Sequence, residues 1–409
     1  MKGNWNKINS FELTAIHFKN ELKSVFTDSG ALLILIGAML IYPLVYSVGY
    51  VNETLTNMEV AVVDLDQSVA SRKYTGMLDA TSELKVTCNP VDLKEAEQLF
   101  MDNKINGVIL IPNGFEKDLL SGKQANVAVY ADGSYFLKYK TEYMAASYVN
   151  AYFNGGVAVK HYMAEGKSFG QAQICSNPLD VQTHILYNPS SAYGSFIMPG
   201  LILIIIQQTL LVGIGILGGS FSESKASPFL LAPQKRAKEV LPLLLGKTGA
   251  YILISIFNIC LAVILVHHWF AYPDKACILN VLMLLFPFLL AVIFLGIGLS
   301  TLFKHRESAI VFMIFISPIA LFLSGISWPV SAMPGWLVGL SKLLPGTTVV
   351  PAYLRLRIMG VQLTDIKPEL FFLYKQAALY AALTIGYFFI RVNWDRQKSK
   401  SDLKANKVK

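Results

Sequence analysis

Six long apolar stretches punctuate this chain of 409 residues, at 31–51, 196–221, 248–272, 278–303, 309–326 and 370–390, and only the last contains a charge, Lys375. An uncharged run of about 18 residues or more is long enough to cross the hydrocarbon core of a bilayer. Backbone groups in lipid must find partners within their own segment, so these runs are read as helices. Apolar runs in the cores of soluble proteins seldom exceed about 10–14 residues, which excludes a soluble helical bundle. Charged residues make up 15% of the chain, against about 25% in soluble domains. The expected fold is therefore an α-helical polytopic membrane protein with six transmembrane helices. The polar segment 52–194, between the first and second spans, is long enough for a core of its own.

Basic residues set the expected orientation. Lys2, Lys7, Lys19 and Lys23 precede the first span. Lys225, Lys235, Arg236, Lys238 and Lys247 follow the second, Lys304 and Arg306 follow the fourth, and seven more fill the C-terminal tail. These faces carry 18 basic and 8 acidic residues, whereas 52–194 carries 11 basic and 16 acidic. Positive-inside bias then puts both termini in the cytoplasm of a bacterial inner membrane and segment 52–194 in the periplasm or outside the cell. The net charge of +8 belongs to the membrane flanks, and no basic and aromatic stripe suggests a nucleic-acid partner. The first span is preceded by about 30 residues and exceeds a signal-peptide core, so it is read as a retained anchor.

The expected layout is a cytoplasmic amphipathic helix at 1–29, the first span at 30–51, an extracytoplasmic α/β domain at 52–194, spans two to six at 195–391 and a basic tail at 392–409. Within residues 10–28, Phe11, Ala15, Ile16, Phe18, Leu22, Val25 and Phe26 recur at three- and four-residue steps, predicting a helix lying along the membrane interface among lipids. Segment 52–194 alternates β-rich runs (60–64, 83–88, 107–111, 127–131 and 181–186) with helical ones (68–80, 91–103, 114–120 and 135–165), the signature of an α/β module. Asp64 and Asp66 end the first strand, but paired acids there are also ordinary turn and capping residues, and no nucleophile elbow or metal triad is present. Cys88 and Cys175 share this segment, where a disulfide between them is one alternative and two free thiols the other. No residues have metal-ligand spacing.

The membrane half carries Tyr187-Asn188-Pro189 before the second span. Its loop at 219–247 contains Glu223, Leu230, Leu231, Pro233, Gly246 and Lys247. After the fifth span come Ser324-Gly325-Ile326-Ser327-Trp328-Pro329, Met333-Pro334 and Pro345-Gly346-Thr347. This series resembles the permease subunits of type-2 ABC transporters, in the subfamily with a large extracytoplasmic domain after the first helix. The resemblance implies an exporter that works as a pair of permeases, two copies or paralogues, on cytoplasmic ABC ATPase subunits. ATP and magnesium would bind in the ATPase, with no cofactor or catalytic residue in this chain. A periplasmic adaptor is a further candidate partner. The loop 219–247 would hold the coupling helix that rests on the ATPase, and the six residues just named match it by position. Ser224-Lys225-Ala226-Ser227 departs from the family's Glu-Arg-Glu followed by Gly-Thr.

Independently of the resemblance, the loop is basic, stiffened by Pro228, Pro233 and Pro242, and carries Phe229, Leu230 and Leu231, as a docking surface would. Gly246-Lys247-Thr248 mimics the end of a phosphate-binding loop, but Leu241 stands where the first glycine is required, so ATP hydrolysis is expected in another polypeptide. Polar residues at membrane depth are the pathway candidates: Gln207, Gln208 and Thr209 in the second span, Asn258 in the third, Ser317 and Ser324 in the fifth. Interhelical hydrogen bonding is the plainer reading of each. Segment 327–368, with Trp328 and Trp336, is expected to form an outer re-entrant cap. The cargo, whether drug, lipid, peptide or glycan, is left open. The alternative function is a membrane scaffold of a secretion machine, of the phage-infection-protein type, without an ATPase. An ion-coupled transporter ranks last, because no charge lies deep in the spans.

Overall fold

The computed structural model describes residues 9–179, 181–189, 191–224, 228–231 and 236–408. The chain forms two units, Met1–Glu53 with Ile185–Lys409, and Thr54–His184. The first unit begins with α1 (Ser10–Thr27), α2 (Ser29–Leu32), a π-helical turn (Leu33–Gly37) and α3 (Ala38–Gly49). Asn9 and Glu12 form a capping box at the start of α1. The Asp28 carboxylate accepts the Gly30 and Ala31 N–H groups, each at 3.0 Å, satisfying orphan donors at a helix start.

The second unit is α/β. Its elements are β1 (Met58–Asp64), α4 (Val69–Asp79), β2 (Leu84–Cys88), α5 (Leu93–Met101), β3 (Gly107–Ile111), α6 (Phe115–Leu120), β4 (Ala128–Ala131), α7 (Phe136–Ala164) and α8 (Phe169–Ser176). The sheet order is β2-β1-β3-β4, with β1 parallel to β2 and β3, and β4 antiparallel to β3. Alternation along β1 divides the core. Val60 and Val62 pack with Tyr74, Leu78, Phe115 and Phe153 from α4, α6 and α7, while Ala61 and Val63 pack with Ala96 of α5. The aspartates after β1 are structural. Asp64 accepts from the Ser71 hydroxyl at 2.6 Å, and Asp66 accepts the Gly114 and Glu116 N–H groups at 2.8 and 3.0 Å. The Ser68 hydroxyl and these amides hold the Asp66 carboxyl below its usual range.

One expectation for this region fails: residues 181–186 form no strand, and Val181, Ile185 and Leu186 remain exposed. Of the two alternatives for Cys88 and Cys175, the structure has the free thiols.

The first unit resumes with α9 (Tyr193–Glu223), α10 (Val240–Ile259), a π-helical turn (Cys260–Leu265), α11 (Val266–Trp269), α12 (Ile278–Ser300), α13 (Arg306–Leu323), α14 (Gly335–Ser341), α15 (Pro345–Leu354), which continues as a π-helical turn (Arg355–Met359), and α16 (Lys367–Val408). Helix α9 is apolar and buried on all sides, as the central helix of a bundle must be, and it packs against α3, α12, α13 and α15. Among the described residues, five helical segments are long and apolar enough to cross a membrane: Ser29–Gly49, Tyr193–Glu223, Arg236–Trp269, Ile278–Ser300 and Arg306–Leu323. A sixth is reached if α14 and the α15 segment, bent by 96° at their junction, count as one broken span. The sixth span expected at 370–390 is not among these five, although α16 covers it. Tyr374, Lys375, Gln376, Tyr380 and Tyr387 dilute its apolar character. Two of them cap the preceding segment, with Gln376 donating to the Lys342 carbonyl at 2.9 Å and Tyr380 to that of Leu343.

Candidate functional site

The basic end of the membrane unit is organised around two buried carboxylates, Glu21 on α1 and Glu239 just before α10. Residues four apart in a helix share a face, and the face that α1 buries is Leu13, His17, Glu21 and Val25. It lies on α10 at Gly246. A Cβ there would stand 2.7 Å from the Thr14 carbonyl oxygen and 2.8 Å from the Phe18 nitrogen, so glycine is what lets the two backbones touch. On either side of this contact the charges meet. Lys247 donates to Glu21 Oε2 at 2.8 Å and the Tyr251 hydroxyl to Oε1 at 2.5 Å. His17 Nε2 lies 3.0 Å from Glu239 Oε1.

Glu239 also holds the loop. It accepts the Leu230 N–H at 2.6 Å and the Leu231 N–H at 2.8 Å. The loop is tied to α16 by Arg236, which pairs with Asp395 at 2.7 Å and stacks on Phe229, and Phe229 meets Phe388 edge to face. At the start of α13, Arg306 grips Asp28 through two nitrogens at 3.0 and 2.8 Å, while its N–H donates to Glu223 at 3.0 Å. Thus Leu230, Leu231, Gly246 and Lys247 converge on one α1–α10 clamp, and Glu223 belongs to the neighbouring α9–α13 junction. Pro233 lies outside the described residues.

Of the interfacial stripe, Ala15, Phe18 and Leu22 are half-buried, while Phe11, 80% exposed, and Phe26 lie open on the surface. The face docked on α10 includes His17 and Glu21. Their partners, Glu239 just before α10 and Lys247 within it, lie more than 220 positions away, so no local signal reveals them.

At membrane depth, Gln207, Gln208, Thr209, Asn258 and Ser324 are buried and Ser317 is half-buried. Two of them join separate elements. Gln207 accepts the Gly346 N–H at 2.6 Å, fixing α15 on α9. Asn258 donates to the Leu35 carbonyl at 2.9 Å, within the π-helical turn where the regular ladder is broken. Thr209 and Ser324 bond to carbonyls of their own helices. Gln208 differs, because neither its amide oxygen nor its nitrogen has a partner among the described residues.

The opposite end carries a residue the sequence reading missed. Arg357 is 2% exposed. It donates to the Val263 carbonyl at 3.1 Å and the Tyr353 hydroxyl at 3.0 Å, and it pairs with Asp274. His267 Nε2 meets the same hydroxyl at 3.3 Å. Two arginines, Arg355 and Arg357, in the apolar piece after Pro345-Gly346 were the available signal. Among the described residues, no cluster of His, Cys, Asp and Glu could hold a metal ion.

The family model described as ABC-2 family transporter protein matches residues 29–385. The chain is similar to the probable multidrug ABC transporter permease YbhS of Escherichia coli K12, 20% identical over 366 residues, covering 89% of this chain and 93% of that one. It also matches ABC transporter G family member 20 of Dictyostelium discoideum, 26% identical over 205 residues, covering 47% of this chain and 26% of that one. Among solved structures, a crystal structure of a domain of a putative ABC type-2 transporter from Thermotoga maritima matches at 24% identity and a TM-score of 0.23, covering 30% of this chain and 81% of that one.

Proposed function

The chain belongs to the ABC-2 family of transporter proteins, and from that premise we propose that it is the membrane-spanning subunit of an ATP-driven exporter. Permeases of this family are not enzymes themselves; they work with a cytoplasmic ATPase subunit, generally as dimers. In this reading the basic end faces the cytoplasm, the α/β unit lies in the periplasm or outside the cell, and the protein resides in a bacterial inner membrane. A partner subunit binds ATP and magnesium against the loop at 219–247.

The observation that carries the reading is the double use of Glu239. One carboxylate grips both the loop amides of Leu230 and Leu231 and, through His17, the N-terminal helix. A push on the loop is thereby delivered to α1 and α10 together. Helix α10 is in turn fastened to the first span by Asn258, and that span packs on α9. Closure of the ATPase pair would move these elements as one body and change the surroundings of Gln208, the unpartnered amide on α9. Coupling of this kind needs rigid elements with discrete arrangements, and buried ion pairs supply rigidity even where they add little net stability. The cargo is proposed to be an amphipathic small molecule, the class to which many drugs belong, moved outward from the cytoplasm or the inner leaflet.

The test is co-purification with a cytoplasmic ABC ATPase produced together with this chain. Wild type is expected to retain the ATPase and a Leu230→Asp variant to lose it, while both proteins keep the same unfolding temperature. Equal retention by the two would remove the loop from the docking surface. A Gln208→Leu variant is expected to keep the ATPase and lose transport.

A further inference from the structure

The α/β unit contains a groove that its own fold does not need. It lies between α4, α6 and α7 and encloses about 390 Å³, within the ~300–1,000 Å³ range of small-ligand clefts. Ala70, Met77, Leu119, Phe153 and Val157 form its apolar lining. Behind them, Tyr74, Phe115 and Phe153 pack ring against ring, and the Tyr74 hydroxyl donates to Asn150 at 2.8 Å, so the wall is preformed. Val69, Leu120 and Tyr152 border the same groove and are 69%, 83% and 79% exposed, large apolar side chains left uncovered.

Two features say what covers it. The first is charge. Lys73 and Lys160 stand exposed on the rim, and neither has a carboxylate partner among the described residues. The acids nearby are engaged elsewhere, Glu116 with the Ala70 N–H at 3.2 Å and Glu165 with His161 and Lys167. The second is Gly155-Gly156, in the middle of α7. Glycine in a helix interior weakens the helix, and such residues usually allow a close approach. Here a Cβ at either position would meet nothing within 4 Å. No packing requires these glycines, and Gly156 lines the groove, so what the missing side chain leaves is space for a guest.

We propose that this groove binds a single-chain amphiphile with an anionic head, its chain along the apolar lining and its head between Lys73 and Lys160. The proposal concerns binding by this unit and stands apart from the direction of transport. A photoreactive long-chain fatty acid, incubated with the full-length protein in lipid nanodiscs, is expected to label peptides from α6 and from residues 152–164. Palmitate or lysophosphatidate should compete, the one revealing a carboxylate and the other a phosphate preference, while the corresponding neutral alcohol should compete at least fivefold less well. Lys73→Glu/Lys160→Glu should lower that labelling at least fivefold, and Gly156→Trp should abolish it by filling the groove. Gly156→Ala should raise the unfolding temperature and still weaken labelling about twofold, separating the site from the fold. Labelling confined to the membrane helices, labelling indifferent to these substitutions, or equal competition by the alcohol would each overturn the proposal.

Discussion

The two ends of the membrane unit both bury charge, and they do so differently. At the basic end Glu21 and Glu239 gather partners from α1, the loop and α10, segments far apart in the chain. At the opposite end Arg357 is held by its neighbour Tyr353, by the buried Val263 carbonyl of a π-helical turn and by Asp274. The first arrangement links elements that a partner subunit could push. The second locks one bent helix against the end of the third span. Burying either charge is tolerable only because the partners are in place; removing one partner of a buried pair costs about 3–5 kcal/mol.

The largest effect should come from Glu239→Ala, which strands His17 and two loop amides at once. We expect a loss of about 3–5 kcal/mol, read as a lowered unfolding temperature together with loss of ATPase retention. Arg357→Met should cost about 2–4 kcal/mol, because Asp274 remains partly exposed and can recover water. It should leave ATPase retention unchanged. Loss of retention in Arg357→Met would erase the distinction between the ends. A double-mutant cycle of Glu21→Gln and Lys247→Met should give a coupling of about 1–3 kcal/mol, and a value near zero would make the pair incidental to the clamp.

The α/β unit offers a contrast with both ends, since Glu142 is buried there with no partner for either carboxylate oxygen among the described residues. Gly107 makes room for it, because a Cβ at that position would overlap the carboxylate. Burial, with a smaller contribution from Asp132, pushes its pKa up to about 8. The folded state then keeps a proton that the unfolded chain releases near its ordinary value of 4.5. Stability from this group is present in full below that value and is lost as pH rises toward 8. Glu142→Gln should flatten the dependence and stabilise the protein by about 1–3 kcal/mol at pH 8, seen by thermal unfolding across pH 5–9. The smallest effect belongs to Phe11→Ser, within about 0.5 kcal/mol, since Phe11 is exposed. Leu13→Ser on the docked face should cost several times more.

What the sequence made legible follows from which signals are local. The four strands and the intervening helices of the α/β unit were readable within a few residues, because alternation, caps such as Ser68 and turn residues act over short distances. Gly246 and Lys247 were marked by family resemblance, yet their partners Thr14 and Glu21 were not, because a contact between α1 and α10 leaves no periodic trace. The burial of Glu21 and His17 on α1 leaves no mark in the apolar pattern, because their partners are distant in the chain. Residues 370–390 lie within α16, where three tyrosines, Lys375 and Gln376 interrupt the apolar run.

The account turns on α1 and α10 moving as one body when the ATPase closes. In a variant with the four native cysteines replaced by serine, spin labels at Phe11→Cys and Leu241→Cys report the distance across the clamp in the assembled complex. The account predicts the same narrow distance with and without bound ATP, and a broad distribution once Glu239→Ala is added. A distance that changes by several ångströms on ATP binding, or that stays narrow in Glu239→Ala, would contradict it.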